Sequence, residues 1–541
     1  MYIYFNNQQK GGKMQIKIGF HGAAQQVTGS QFLLQVEGKK ILVECGLTQG
    51  KRKESYEMNK NFRFPDGIKP ADIDVVVLTH AHIDHSGNLP TLVKNGFTGQ
   101  IHATTATVEL CKYLLIDSAF LQGGDVKFAN KKRLKENKVL FAPLYTTEDV
   151  EKTLELFVPH EYVETVELFD NIKIRFRDAG HILGSAGVLF EIGDGENPIR
   201  FGFSGDIGRP NIPLIKDPDI LRNLDFLVME TTYGNRYHSQ SYAEAEQQLA
   251  DTIINAITKR SGTILIPAFS VGRMQLLIYI LHKLRDRGLL RDIPIFVDSP
   301  LGFNATEIFR KNLEILDCES HRQFIDAGID PFMFQGLHYT RSAEDSKKLN
   351  DKTMQPRIIL SSSGMMEGGR ILHHLMNHIE DTNATLLFVG YAAEYTLARY
   401  IMDGAKDVKI FGEPFKVKCK VEKLDSFSAH ADKAGLENYL SLSPAHDMKK
   451  LFLIHGEKEA AKEFQNTAKQ KGYQNISIPE LDEEYLFEFK KIKYFDTKLQ
   501  KEVEKYEIIK QSVQKHEPKF EEENRHNQRD EGARHIRYGR H

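Results

Sequence analysis

The sequence predicts an α/β protein containing a parallel sheet, and two features of its 541 residues carry that reading. From 225 to about 425, strand-type and helix-type runs alternate, which argues for a parallel sheet flanked by helices. Before that, from Met14 to about 210, short runs rich in β-branched and aromatic residues alternate with turns and helices. The length suggests roughly two to four domains.

Taken in order, residues 1–13 read as a polar, glycine-containing leader. Ile41–Glu44, Asp74–Thr79, Ile172–Arg177, Val188–Ile192 and Phe201–Ser204 read as strands bounded by Gly, Asp or Asn, and a charged, helix-favouring insert fills roughly 112–165. In the second region DFLVME leads to a helix at about 241–259, GTILIPAF to the helix VGRMQLLIYILHKL, and IPIFVD to a helix after Pro300. PRIIL then leads to GGRILHHLMNHI, and ATLLFVG to TLARYIMDG. After 430 come a helix, the strand KLFLIHG and another helix. Residues 497–541 are mostly charged, and their end reads as a solvated, disordered tail.

Composition narrows the function classes. With 41% hydrophobic and 27% charged residues, the chain can bury a large core. No apolar run approaches the roughly 20 residues of a membrane span, and the N-terminus lacks the apolar stretch of a signal peptide. The four cysteines form no C-x-x-C pair and no disulfide framework, so a reduced cytoplasm is the expected home. A net charge of −2 argues against holding nucleic acid by bulk electrostatics, but not against a local site where metals supply the positive charge. There is no P-loop, no G-x-G-x-x-G fingerprint and no internal repeat.

The most informative stretch is DVVVLTHAHIDHSGN at 74–88, where His80, His82, Asp84 and His85 follow directly on an apolar strand. Imidazole and carboxylate are the usual ligands of zinc. A loop this short cannot easily wrap four groups round one ion, but it can present His80 and His82 to one ion and Asp84 and His85 to a neighbour. A lone histidine is usually a surface or core residue; four ligand-type residues crowded at one strand end are not there for packing. Further donors stand at other strand ends: His181 in RFRDAGHILGSAG, Asp206 in RFGFSGDIGR and His455 in KLFLIHGE. Neighbouring glycines let the backbone approach closely. Together these complete two coordination shells, with Asp206 free to bridge.

The order HAHIDH, His181, Asp206 resembles the metallo-β-lactamase fold hydrolases. The chain is further similar to the β-CASP branch, a nucleic-acid-cutting group that includes the large cleavage subunit of the polyadenylation complex and its bacterial and archaeal relatives. METTYGNR at 229–236 carries Glu230 as motif A, SFSAHAD at 426–432 carries His430 as motif B, and LIHGE at 453–457 carries His455 as motif C. SSSGMMEGGR at 361–370 and GYAAEYTLARYI at 390–401 also look like segments of this group, and the resemblance runs over about 14–475. It implies an αβ/βα metallo-β-lactamase sandwich made from 14–234 and 428–475, a β-CASP α/β domain inserted over 235–427 and covering the site, and a charged extension over 476–541.

The implied activity is RNA cutting with two Zn2+ per chain, Mn2+ being the alternative ion, in RNA processing or decay. Members of the group often dimerise, so a homodimer is implied too, though no stretch points to its interface. His80, His82 and His181 would hold one ion; Asp84, His85 and His455 the other; Asp206 would stand between them. A bridging hydroxide would attack the phosphorus in line. His430, oriented by Glu230, would protonate the leaving oxygen, giving 5′-phosphate and 3′-hydroxyl ends by internal or 5′→3′ cutting. Asp84, Glu230 and His430 are thus the catalytic set, and the histidine at motif C is similar to RNA-cutting members. The chain departs from the group at Glu44, where Asp is common behind a ligand, and at Tyr395, where Gly is expected; the tyrosine would narrow the substrate channel or stack a base.

Ser361, Ser362, Ser363 and Gly364, between a strand and a helix expected near Gly368, suit phosphate binding, with Arg370 and more weakly Arg273 as helpers. The plainer alternative is a capping turn. His373 and His374 read as part of a core-facing helix, and His21, His160 and His238 lack ligand company. Cys45 reads as a small buried hydrophobe, and the arginines from Arg525 to Arg540 as part of a soluble tail. Three other functions compete. A thioester or lactam hydrolase is disfavoured by the inserted domain, which would cover a small-molecule cleft. A DNA nuclease is disfavoured by His455, and an inert RNA-binding scaffold by retention of all seven donors.

Overall fold

The computed structural model of the chain describes residues 13–50, 52–290, 293–317, 322, 324, 326–351, 355–390, 392, 396–424, 427–496 and 501–516. Two mixed sheets pack face to face. One has eight strands, in the order Lys501–Lys515, Glu483–Asp496, Lys13–Phe20, Phe32–Val36, Lys39–Val43, Val75–Val77, Gln100–Thr104, Phe157–His160. The other has seven, in the order Ile476–Ser477, Lys450–Ile454, Phe226–Glu230, Ile199–Phe203, Ala186–Ile192, Ile172–Asp178, Val166–Phe169.

Side-chain alternation shows why they form a sandwich. Val75 and Val77 face Phe201, Phe203, Phe226 and Val228 in one core between the sheets. Val76 and Leu78 point the other way, into a core shared with the helix Thr105–Lys135. Leu227, Met229, Leu451 and Leu453 likewise turn outward, onto the helices Lys433–Ser441 and Lys458–Gln470. A period of two with both faces apolar requires helices on both outer surfaces.

The third sheet is parallel throughout, as the alternation of strands and helices in the sequence predicts. Its order is Leu337–Tyr339, Ile295–Asp298, Arg357–Ser361, Thr263–Pro267, Thr385–Val389, Lys420–Leu424. Ile264 and Ile266 join the core that also holds Val76 and Ile182, whereas Leu265 and Ile359 face the helix Ile371–His378. One apolar core therefore runs from the first sheet into the third. Among the described residues no helix is long and apolar enough to cross a membrane.

The C-terminal region holds the main departure from expectation. Beyond 475 the sequence reads as a charged extension, yet Glu483–Asp496 pairs antiparallel with Lys13–Phe20 and with Lys501–Lys515. Tyr485, Phe487 and Phe489, every second residue of the strand, enter the inter-sheet core, where the Phe487 ring meets Phe226 edge-on at 4.8 Å. Lysines and glutamates on the solvent face of an edge hairpin mask its strand pattern. The tail from 517 onward lies outside the described residues. Phe487→Ala should destabilise the protein by roughly 3–5 kcal/mol, because the fully buried ring leaves a cavity. Urea unfolding checks this, and a loss under about 0.5 kcal/mol, typical of surface sites, would show the hairpin to be merely appended.

Candidate metal centre

The donors converge from four loops at neighbouring strand ends. His80 and His82 follow Val75–Val77, and the single helical turn Ile83–Ser86 carries Asp84 and His85. His181 follows Ile172–Asp178, Asp206 follows Ile199–Phe203, and His455 follows Lys450–Ile454. Glycines permit the crowding. A Cβ on Gly208 would sit 1.7 Å from the Gly180 carbonyl oxygen, and Gly205 holds φ +58° beside Asp206.

The donor atoms form two groups. In the first, His82 Nδ1 lies 3.2 Å from both His80 Nε2 and His181 Nε2. Asp206 Oδ2 stands 3.5 Å from the former and 3.6 Å from the latter. In the second, His85 Nε2 is 3.2 Å from His455 Nε2, and Asp84 Oδ2 is 3.5 Å from the latter. Asp206 Oδ1 lies 3.4 Å from His85 Nε2, and buried as it is, it accepts no hydrogen bond. Donors about 3.3 Å apart are what tetrahedral zinc with bonds of about 2.0 Å requires. The residues therefore fit metal ions, and one carboxylate reaches both groups.

Electrostatics agree. Burial pushes His80 and His181 well below the usual histidine range, and His82 down to about 4, so these three present neutral, ligand-ready rings. Burial works against the carboxylates, yet His455 and His85 bring Asp84 to about 2, and they and His80 hold Asp206 far below its usual range. His85 is raised despite its burial, by Asp206, Asp84 and Glu44.

Supporting contacts fix the rings. Thr79 Oγ1 lies 2.9 Å from His80 Nδ1, and Thr232 Oγ1 3.1 Å from His455 Nδ1. Glu44 does stand behind a donor: its Oε1 is 3.4 Å from His85 Nδ1, and its carboxylate accepts the Thr79 N–H. Tyr395 lies outside the described residues.

Beside the first group stands His430, with Nε2 4.0 Å from Asp206 Oδ2 and Nδ1 3.2 Å from Glu230 Oε1. Burial opposes charge on this ring, but Glu230 outweighs it and raises His430 to about 9. Glu230 is itself pinned, accepting the Ile207 and Thr232 N–H groups. Sequence reasoning missed His238, whose Nε2 is 3.0 Å from the His430 carbonyl and whose N–H donates to Asp432. The only signal for it was its position eight residues after Glu230 in the same loop.

The serine loop departs from expectation at two positions. Ser361 ends a central strand, is fully buried and donates to the Asp298 carbonyl. Arg370 is drawn inward to Asp298 at 2.7 Å and to the Thr340 and Arg341 carbonyls. His374 joins the same carboxylate at 2.6 Å, and the helix begins at Ile371, not near Gly368. Ser362 and Ser363 remain half-exposed, and Gly364 packs on Phe269. Arg273 is occupied as well, donating to the Val389 carbonyl, and burial lowers it to about 10. Of the other histidines, His21 pairs with Asp482 at 3.3 Å and His160 with His102 at 2.8 Å. Cys45 is fully buried.

Fold and site together define a metallo-hydrolase of the αβ/βα sandwich class. Comparison with known proteins agrees: residues 25–251 match the metallo-beta-lactamase superfamily, 274–401 the Beta-Casp domain, and 414–479 the Zn-dependent metallo-hydrolase RNA specificity domain. A protein named Ribonuclease TTHA0252 from Thermus thermophilus is 34% identical over 81% of this chain and 92% of its own length. A protein named Transcription termination factor FttA from Methanosarcina mazei is 31% identical over 84% of this chain and 69% of its own. A solved structure of a protein of unknown function from Enterococcus faecalis shares the fold, with a TM-score of 0.50, 13% identity and coverage of 87% of this chain and 99% of that one. The chain belongs to the β-CASP family of metallo-β-lactamase fold hydrolases.

Because Asp298 is shared by Arg370, His374 and Ser346 in a buried network, Asp298→Ala should cost roughly 3–5 kcal/mol by stranding the guanidinium. Urea unfolding beside Ser363→Ala, expected to change stability by less than about 0.5 kcal/mol, separates a frame residue from a surface one.

Proposed function

We propose that this chain is a ribonuclease working with two zinc ions, cutting RNA in processing or decay within the cytoplasm and leaving 5′-phosphate and 3′-hydroxyl ends. The observation that carries the reading is the Asp206 carboxylate, with one oxygen toward His80 and His181 and the other toward His85 and His455. That arrangement has a use when two ions stand side by side. RNA as substrate is supported by the RNA specificity match and by the relative named a ribonuclease.

On this reading His80, His82 and His181 hold one ion, Asp84, His85 and His455 the second, and Asp206 both. Zinc there supplies a water acidic enough to act at neutral pH and positive charge for the phosphate oxygens. The protein's own task is to manage the departing oxygen. Glu230 holds His430 Nδ1, so Nε2 faces the cluster. Kept protonated at neutral pH, His430 donates from Nε2 to the leaving 3′ oxygen, which becomes the 3′-hydroxyl. Ser362, Ser363 and Gly364, at the carboxyl end of a parallel strand, receive a neighbouring phosphate.

The test is cutting of one RNA labelled at either end, with zinc counted on each protein. Asp206→Ala should lose metal and activity together. His430→Ala should keep its zinc and slow cutting by about 10²–10⁴-fold. Loss of zinc in His430→Ala, or no cutting by zinc-loaded wild type, would overturn the assignment. The general acid is active below its pKa and fails as pH rises through it. Glu230→Gln, which removes the carboxylate that raises His430, should therefore move the alkaline limb of kcat/KM to lower pH. An unmoved limb would assign that limb to another group.

A further inference from the structure

We infer that the outward face of the second half of the helix Thr105–Lys135 is a second RNA-binding surface that grips single-stranded RNA extending beyond the cutting site. This rests on RNA being the substrate. Phe120, Lys127, Phe128, Lys131, Leu134 and Lys135 fall, by helical geometry, within an arc of about 120°. Phe120 is 67% and Phe128 71% exposed, which is unusual for phenylalanine on a soluble surface.

The three lysines are exposed and form no ion pair with any described residue. Over 127–138 the sequence holds six cations (127, 131, 132, 133, 135 and 138) against Glu136 alone, in a chain whose net charge is −2. The opposite side of the helix is already taken. Asn130 exchanges two 2.9 Å hydrogen bonds with Phe141, and Ser118 accepts one of 2.7 Å from Tyr145.

The mixture of cations and aromatic rings on one face selects the partner. A solvated charged face has no use for exposed phenylalanines. A membrane-surface helix puts its cations and apolar groups on different faces. Single-stranded nucleic acid asks for both on the same face, cations for phosphates and rings for bases.

The helix also leads away from the site. Thr107, in its first turn, donates to the Gly184 carbonyl in the His181 loop. Phe128 lies 21 residues further on, about 32 Å along the axis. At about 3.4 Å per stacked nucleotide, only RNA of roughly ten nucleotides or more reaches from the cutting site to this face.

The test is binding of phosphorothioate RNA, which resists cutting, to the zinc-loaded full chain by fluorescence anisotropy, with strands of about six and about 30 nucleotides. The variant Lys127→Gln/Lys131→Gln/Lys135→Gln keeps good helix formers. It should raise Kd for the long strand about tenfold or more, make its salt slope shallower by about two, and leave the short strand unchanged. Phe128→Ala should weaken the long strand about fivefold with no change in slope. An unchanged Kd and slope for the long strand would overturn the inference. So would an unchanged Kd accompanied by loss of self-association in sedimentation, which would make the face a contact between copies. Failure of wild type to cut unmodified RNA would overturn the ribonuclease reading instead, while the binding constants still judge this helix.

Discussion

A carboxylate buried among five imidazoles organises this molecule. Asp206 is almost wholly enclosed, and its neighbours are His80, His85, His181, His430 and His455. Ionised carboxylate is costly to bury unless positive charge meets it, and packed imidazoles are costly to protonate together. The cluster leaves three rings neutral, keeps both acids ionised and concentrates protons on His85 and His430. Cations held between the donors resolve that tension, so the preference for metal is built into burial itself.

Placing seven donors on four loops demands sheets whose ends stay in register. The continuous core from Val76 through Ile182 to Ile264 supplies that rigidity. It also ties the parallel sheet to the sandwich. The start of the helix Arg273–Asp286 illustrates the closeness: a Cβ on Gly272 would lie 3.0 Å from the Ile182 side chain, next to His181.

Much of this was legible in the sequence, for physical reasons. The donors of HAHIDH are close in the chain, so their clustering needed no tertiary information, and the glycines beside His181 and Asp206 marked where backbone must pass close to backbone. Alternating strands and helices with apolar runs are what a parallel sheet covered on both faces looks like. What stayed hidden depended on distant partners. Arg370 and Ser361 look free until Asp298, some 60 to 70 residues earlier, is placed beside them. His238 lacks company until the fold brings His430 alongside. The hairpin after 482 was obscured because half of each strand faces water and carries charge.

The pairing of the first described strand with the hairpin near the other end has a further consequence, for how the protein is made. His21 meets Asp482 across 461 residues of chain, and the His455 N–H donates to the Ala23 carbonyl. Contacts of such sequence separation form late and slowly. Synthesis proceeds at about 5–20 residues per second from the N-terminus, so roughly 20–90 s separate the making of Ala23 from that of His455, and the two strands of the hairpin join the first sheet later still. A nascent chain that has not yet reached His455 therefore carries an incomplete donor cluster, whatever the rest of it has already folded into.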